Sequence, residues 1–412
     1  MGAQPQYDVV VIGAGAAGLM AATRAAERGR RTLLVEKNRK PGVKILMSGG
    51  TRCNLTHATD RRGIVAAFGE QGPFLHSALA ALGPDELVAR FAAEGVVTKV
   101  EPGGKVFPVS DSAVDVLRAL ERMLAASGAE LALDEPVAAI ERTGPRFAVR
   151  TSRRTIAAGK VIITVGGQSY PGCGTSGDGY AWAKALGHTI IPPRPALVPL
   201  VSPESWVHDL RGVTLPDVRV RIGEQDAKPT AERRGSFLFT HFGLSGPVVM
   251  DLSRAVTERP QATRWQAVCD FAPDLQEPDV VARFADEAAA SGKKAVVNIL
   301  SEWIPRRLAE ALAARAGVPV DRRVAELSRR ERGMLVQSLK ATAVAITGSL
   351  GFKKAEVTAG GVSLAEIDSR TMASKITPHL YLAGEILDLD GPIGGFNFQA
   401  AFSTGWLAGG SV

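Results

Sequence analysis

Residues 7–36 read YDVVVIGAGAAGLMAATRAAERGRRTLLVE, a complete strand–helix–strand unit of the kind that holds a dinucleotide. The apolar run from Tyr7 to Ile12 predicts a buried strand, Ala16 to Arg28 a helix, and Thr32 to Val35 a second strand. Between the first two lies G-x-G-x-x-G, formed by Gly13, Gly15 and Gly18, with Ala14 and Ala16 in the same turn. Gly13 makes the tight turn, Gly15 lets the backbone approach a pyrophosphate, and Gly18 lets helix and strand pack closely. The diphosphate would sit on the helix N-terminus, where free N–H groups and the helix dipole favour negative charge. Glu36 ends the second strand, where its carboxylate can accept hydrogen bonds from both adenosine ribose hydroxyls and disfavours a 2′-phosphate. The tightly held nucleotide is therefore expected to be FAD or NAD rather than NADP.

At 412 residues the chain suits two or three domains. With 45% hydrophobic and 22% charged residues it can bury large cores and lacks a disordered composition. The formal charge is +7, but basic residues occur in short groups such as Arg28, Arg30 and Arg31, Arg233 and Arg234, and Arg329, Arg330 and Arg332. That scatter, with aromatics at only 6%, reads as solvated surface rather than a nucleic-acid groove. Three cysteines, Cys53, Cys173 and Cys269, contain no C-x-x-C, which argues against a disulfide scaffold and against a flavin-disulfide reductase. The six histidines show no metal-ligand spacing, and no G-x-S-x-G elbow supports hydrolysis, so no metal is expected. The first strand begins at Tyr7, leaving no room for a signal peptide, and no apolar run approaches the ~18 residues of a membrane span. The expectation is a soluble, cytoplasmic protein.

Helical patterns are expected over 84–94 and 112–127. Short strands at 129–133, 137–141 and 147–151 resemble a β-meander, and Lys160 to Val165 is an apolar strand ending in Gly166 and Gly167. The second half of 41–57 has too many glycines and polar residues for a helix and reads as an ordered loop. Residues 197–270 are rich in β-like runs, and 278–340 in helical ones at 279–290, 305–316 and 329–339. This gives a nucleotide-binding domain in two segments, 1–193 and 344–412, interrupted by a β-rich part over 194–274 and a helical part over 275–343.

A second motif, ITPHLYLAGEILDLDG from Ile376 to Gly391, places a short buried strand at Leu380–Ala383 before Gly384 and Glu385. FAD domains of the glutathione-reductase type use such a strand, glycine and acid to hold the ribityl chain and pyrophosphate side of FAD. A simple NAD domain has no need of it, so the pair of motifs favours FAD; the plainer reading makes Glu385 a surface helix cap. In GPIGGFNFQAAFSTG, Gly394 and Gly395 permit close backbone approach, and a helix from Phe396 would aim free N–H groups at the pyrimidine end of a flavin. A glycine-rich turn before a core helix is the alternative.

In order along the chain, SGGTRCNLTH, GGQSYPGCGTSGDGY, FTHFGLSGP, TAGGV, TMASK and GEILDLDGPIGGFNFQAA resemble the BaiN/RdsA family of bacterial NAD(P)/FAD-dependent oxidoreductases, which is similar to aminoacetone oxidase. The resemblance spans nearly the whole chain. It implies an α/β, Rossmann-like FAD-binding domain of glutathione-reductase type with a β-barrel-like and a small helical insertion, and FAD held without a covalent bond. The residues expected at the cofactor are Gly13, Ala14, Gly15, Ala16, Gly18, Glu36, Lys37, Lys44, Ser48, Gly49, Gly50, Arg52, Cys53, Asn54, Val137, Thr164, Gly166, Gly167, Gly384, Glu385, Gly394, Gly395, Phe396 and Asn397. Thr51 stands where a third glycine is commoner, and Phe396 with Phe398 replaces a more usual Tyr and Leu.

Within SGGTRCNLTH, Ser48, Gly49 and Gly50 can supply N–H groups, Arg52 can neutralise the pyrophosphate, and Asn54 can bond the flavin edge. Cys53, without a partner cysteine, reads as packing beside the cofactor before it reads as a redox group. Gly172 to Gly177 form a literal second G-x-G-x-x-G that follows no strand directly, so it reads as part of the FAD-domain wall, with Asp178 capping a helix over 179–186. His241 in FTHFGLSGP is either a proton donor beside Ser245 or a structural histidine at a tight turn. The expected activity is hydride transfer through FAD between transiently bound NADH or NADPH and a small organic substrate. An oxidase of a small amine such as an aminoketone, using dioxygen, is the alternative, and an RNA-associated flavoprotein a third; the insertion is expected to govern substrate.

Overall fold

The computed structural model describes residues 6–225, 227–259 and 264–412. The chain divides into two compact units, one running to Pro195 and resuming over Glu356–Val412, the other Ala196–Ala355.

In the first unit, β1 (Tyr7–Ile12), α1 (Ala16–Glu27) and β2 (Thr32–Val35) form where the sequence predicts them. Every residue of β2 is buried, as a strand covered on both faces must be. The next elements used below are α2 (Ala113–Ser127), β3 (Glu130–Ala132), β4 (Val137–Thr143), β5 (Arg146–Thr151) and β6 (Thr155–Ile163). The parallel core runs β3–β2–β1–β6 and continues into the Leu380–Leu382 strand. Residues 129–133 thus do not belong to the meander, which is β4–β5–β6. Alternating residues show a strand but not its direction; β3 pairs parallel because α2, ended by left-handed Gly128, returns the chain to the same end of the sheet.

The partner on one edge of β6 changes partway along it. Phe147 of β5 pairs antiparallel with Ala158, whereas Leu380 pairs parallel with Val161. The two strands therefore lie end to end along one edge, and the sheet forks at Gly159 and Lys160. On the sheet's surface, α1 meets the C-terminal helix Phe396–Ser411 at very close range, because a Cβ at Gly405 or Gly409 would collide with the Ala17 or Ala21 carbonyl oxygen.

The second unit holds β7 (Leu200–Val201), β8 (Thr214–Glu224), β9 (Ala231–Thr240), β10 (Gly243–Ser245), β11 (Trp265–Asp270), β12 (Thr342–Ile346) and β13 (Gly348–Ser349). Their order is β12–β11–β8–β9–β10–β7–β13, all antiparallel. Only Thr347 separates β12 from β13, so the two ends of the sheet are one stretch of chain and the sheet closes into a small barrel. A helix at Pro247–Glu258, not foreseen within the β-rich region, starts with Pro247 in its first turn and packs Val248, Val249, Leu252 and Val256 inward. Helices Glu277–Ala290, Arg306–Arg315 and Arg329–Lys340 add Phe284, Leu308, Leu312 and Leu335 to the core that holds Val220, Phe237 and Phe239, so the β-rich and helical parts share one interior.

Candidate cofactor site

The turn after β1 separates the tasks of its glycines. Gly13 has φ +97° and its N–H donates to the Val35 carbonyl at 2.8 Å. A Cβ at Gly13 would lie 2.9 Å from Val165 Cα, and one at Gly18 would collide with the Gly13 carbonyl oxygen and come 2.6 Å from Thr164 Oγ1. A Cβ at Gly15 meets nothing within 4 Å. Two glycines thus close the protein on itself and the third faces open space. Thr164 braces the turn by donating to the Ile12 carbonyl at 2.8 Å. The buried Glu36 carboxylate accepts the Ala14 N–H at 2.7 Å and the Asn38 N–H at 2.8 Å, which fixes it against the turn.

The segment SGGTRCN is held in left-handed backbone at Gly49, Gly50, Thr51 and Cys53, with φ of 55°, 67°, 68° and 61°. At Thr51 this explains why glycine suits the position, since a β-branched residue there is strained. Ser48 Oγ donates to the Ile45 carbonyl. The Arg52 guanidinium donates to Glu101 at 2.6 Å and Asp111 at 3.2 Å and stacks 4.0 Å above Phe107. Cys53 is fully buried, and burial pushes its thiol up to about 12, which leaves it protonated and unreactive. Asn54 Oδ1 is buried with no hydrogen-bond partner, a costly state unless a ligand donor meets it.

At the other motif, Glu385 accepts Lys44 Nζ at 2.6 Å, Ser169 Oγ at 2.8 Å and the Thr358 N–H at 2.9 Å. Ser169 is itself buried and also accepts from Lys44 at 2.7 Å. Glu385 is therefore built into a network and is not a surface cap. Gly384 has φ +78°, and a Cβ there would come 2.8 Å from Ala17 Cβ, so it also lets the strand end approach α1 closely. Gly166, φ +73°, and Gly167 pack against Thr175 and Thr358. Tyr180, which sequence reasoning missed, has a buried hydroxyl without a partner; burial, then Glu385 and Asp388, raise it far above the ordinary tyrosine range.

The C-terminal helix begins at left-handed Gly395, φ +93°, with no side-chain cap. A Cβ at Gly395 would collide with the Thr56 carbonyl and come 2.8 Å from Asn54 Oδ1, so the orphaned amide and the helix start adjoin. His57, also missed, shares a 3.0 Å hydrogen bond with the Gly394 carbonyl and stacks on Phe396 at 4.4 Å. Thr56 Oγ1 donates to Gln399 at 2.6 Å. Asn397 spends its side chain on the loop before it, accepting the Gly391 N–H and donating to the Gly391 carbonyl, both at 2.8 Å, because that turn has backbone groups to satisfy. The contacts of Thr56 and His57 with the C-terminal helix and the glycine before it span more than 330 positions, so only the isolated polar residue types could have flagged them.

The loop 172–177 follows out of a 3-10 turn at Pro171–Cys173 and lies against Lys37 and Asn38 at Gly174. Lys37 points its ammonium to Asp178 at 2.6 Å and Ser176 at 2.7 Å. Asp178 does not cap the following helix, whose N-cap is Gly177; burial alone would raise its carboxyl, but hydrogen bonds from Ser176 and Lys37 hold it below the usual range. Val137 opens β4 opposite Thr151. In the other unit, His241 is exposed at the turn between β9 and β10, edge-on to Phe242 at 4.9 Å. Among the described residues, no cluster of three or more His, Cys, Asp or Glu could hold a metal, and no helix is long and apolar enough to cross a membrane.

The first unit's residues fit FAD. Gly15 leaves open the approach that a pyrophosphate needs, the buried acid Glu36 stands beside that turn, and the orphaned Asn54 amide adjoins an uncapped helix start.

The model of the HI0933-like protein Rossmann domain matches residues 7–411. The chain is 32% identical over 409 residues to the ribosomal RNA dihydrouridine synthase of Escherichia coli (strain K12), covering 97% of this chain and 96% of that protein. It is also 32% identical over 403 residues to the 3-dehydro-bile acid delta(4,6)-reductase of Clostridium scindens, covering 97% of each. The Mycobacterium smegmatis Sdh1 complex in the apo form shares the fold at 16% identity with a TM-score of 0.51, covering 98% of this chain and 68% of that one.

Proposed function

The chain belongs to the HI0933-like family and is a flavin-dependent oxidoreductase, and we propose that it saturates a carbon–carbon double bond conjugated to a carbonyl, with NADH or NADPH as the electron source. One observation carries this reading. Relatives equally similar to the chain bear names that differ in substrate, a uridine in ribosomal RNA and a 3-dehydro-bile acid, yet share the reduction of a double bond. Of the two substrate classes, we favour uridine in RNA, because a second relative, from Haemophilus influenzae and 32% identical over 416 residues, bears the same ribosomal RNA dihydrouridine synthase name as the Escherichia coli protein.

Bound FAD supplies hydride transfer in this chemistry. The protein's part is to hold, orient and tune. Glu36 would orient the ribose end and the Lys44–Glu385 pair the ribityl side, while Asn54 and the first-turn N–H groups of the C-terminal helix would hold the pyrimidine side of the flavin, where the helix dipole would favour the negative charge that grows on reduction. The remaining expected residues, Gly49, Gly50, Val137, Thr164, Gly166 and Gly167, are proposed as walls of the same site. Cys53 keeps its proton and takes no part as a nucleophile. Among the described residues one strand–turn–helix carries the dinucleotide fingerprint, so the nicotinamide nucleotide is assigned a transient visit. His241, exposed on its turn, is proposed as proton donor to the substrate carbon.

The test is anaerobic turnover of the FAD-loaded protein with NADPH or NADH. Unmodified ribosomal RNA should gain two hydrogens at a uridine, read by mass spectrometry. Reduction of a steroid enone alone would keep the chemistry and change the substrate class. Flavin bleaching by an aminoketone, with reoxidation by dioxygen and no reduction of either acceptor, would overturn the proposal in favour of an oxidase.

A further inference from the structure

The fork in the parallel sheet opens a cavity of about 290 Å³, lined by Asp8, Val9, Arg30, Arg146, Lys160 and His379, among others. It lies beside the start of β1, whereas the dinucleotide turn follows its end, roughly 15 Å away at the usual rise of a strand. The cavity exists because β5 leaves β6 at Ala158 and the Leu380–Leu382 strand joins it only at Val161.

Its charges are unbalanced. Arg30, Arg146 and Lys160 line it, and Arg28 is near enough to disfavour the Lys160 ammonium. Burial is the first cause that lowers the Lys160 ammonium below its ordinary range, with Arg30 and Arg28 adding to it and Asp8 opposing them in part. Asp8 is the one acid in the lining, and its Oδ2 accepts the Arg31 N–H at 2.9 Å. Arg30 Nε donates to the Val412 carbonyl oxygen at 3.1 Å. Lys160 has the Tyr381 ring 6.0 Å away, and His379 sits in left-handed backbone at φ +67°. Arg30 and Asp8 are exposed and Arg146 and Lys160 half-buried, so water screens part of this repulsion and Asp8 offsets one charge, while the surplus positive charge in the cleft still favours an anion. Two guanidinium forks and an ammonium match a tetrahedral dianion with several acceptor oxygens.

We propose that this cavity is a second, cofactor-independent site that binds a phosphate group, carried by a small phosphate ester or by the backbone of RNA. It does not depend on uridine being the substrate. Lys160 and Arg146 make the principal contacts, and Arg30 completes the cage.

The probe is inorganic phosphate, added to FAD-loaded protein so that the dinucleotide cradle is already filled, with chloride at matched ionic strength as control. Phosphate should raise the melting temperature, and the fitted phosphate affinity should fall at least ten-fold in Arg146→Ser/Lys160→Ala, while Lys160→Arg retains it. FAD content checks that each variant is folded. Two further ligands identify the source. If a single-stranded RNA oligonucleotide loses affinity in the double variant and its salt dependence drops by about 0.7 per lost phosphate contact, the phosphate belongs to a polynucleotide. If a nucleoside monophosphate alone loses affinity, it belongs to a free ester. Absence of a phosphate-specific shift, or an equal shift in the folded double variant, overturns the site.

Discussion

Lys44 and Glu385 stand 341 positions apart, yet the ammonium and carboxylate meet at 2.6 Å beside a buried serine. The pair joins the helix before SGGTRCN to the strand end after the insertion, so the two segments of the cofactor domain are locked at the proposed ribityl contact. With side chains 26% and 19% exposed, its net stabilisation is modest, but losing one partner leaves the other half-buried and uncompensated. Glu385→Ala should weaken FAD binding at least ten-fold, and so should Glu36→Ala at the ribose end, where each charge-assisted bond contributes about 1.5 to 3 kcal/mol. Unchanged FAD titrations in both variants would sink the assignment of the two ends.

Gly15 and Gly18 should fail differently. Gly18→Ala forces a methyl into the Gly13 carbonyl and should cost about 1 to 3 kcal/mol, lowering the melting temperature of the FAD-free protein. Gly15→Ala meets open space and should leave that temperature unchanged while reducing FAD affinity, with Gly15→Val colourless. Equal melting losses in both would contradict the division of tasks.

Stability should decline at alkaline pH through the buried thiols. Burial pushes Cys53 and Cys269 up to about 12, whereas an unfolded thiol ionises near 8.5. Above that lower value the unfolded state holds fewer protons than the folded one, so stability falls as pH rises from about 8.5 towards 12, by roughly 1 kcal/mol per pH unit per thiol. Melting curves from pH 7 to 11 should show the slope, and Cys53→Ala/Cys269→Ala should flatten it. Rapid alkylation of folded Cys53 at pH 8 would refute its inert assignment.

His241→Ala should keep the yellow colour and change stability by less than about 0.5 kcal/mol, as for an exposed turn residue. Turnover should fall ~100-fold or more if it gives a proton to substrate. Full activity would return it to a structural role.

The dinucleotide unit was legible down to the ends of its strands, because its glycines, its apolar run and Glu36 act within one local turn where period and sterics decide the outcome. Local pattern also placed Pro84–Ala93, Ala113–Ser127 and the start of the C-terminal helix at Phe396. What local pattern could not decide was pairing at a distance. The parallel docking of Glu130–Ala132, the closure of the barrel through Thr347, and the helix Pro247–Glu258 depend on which surfaces are buried together. The same holds for side chains. Nothing near Arg52 in sequence announces Glu101, nor near Gly384 announces Ala17, and the Lys44, Ser169 and Glu385 network exists only once three separate segments of the chain converge. Sequence determined the cofactor's fold because that rests on backbone geometry over thirty residues; tertiary structure assigned the charges, because a charged group takes whichever partner packing brings within hydrogen-bond reach.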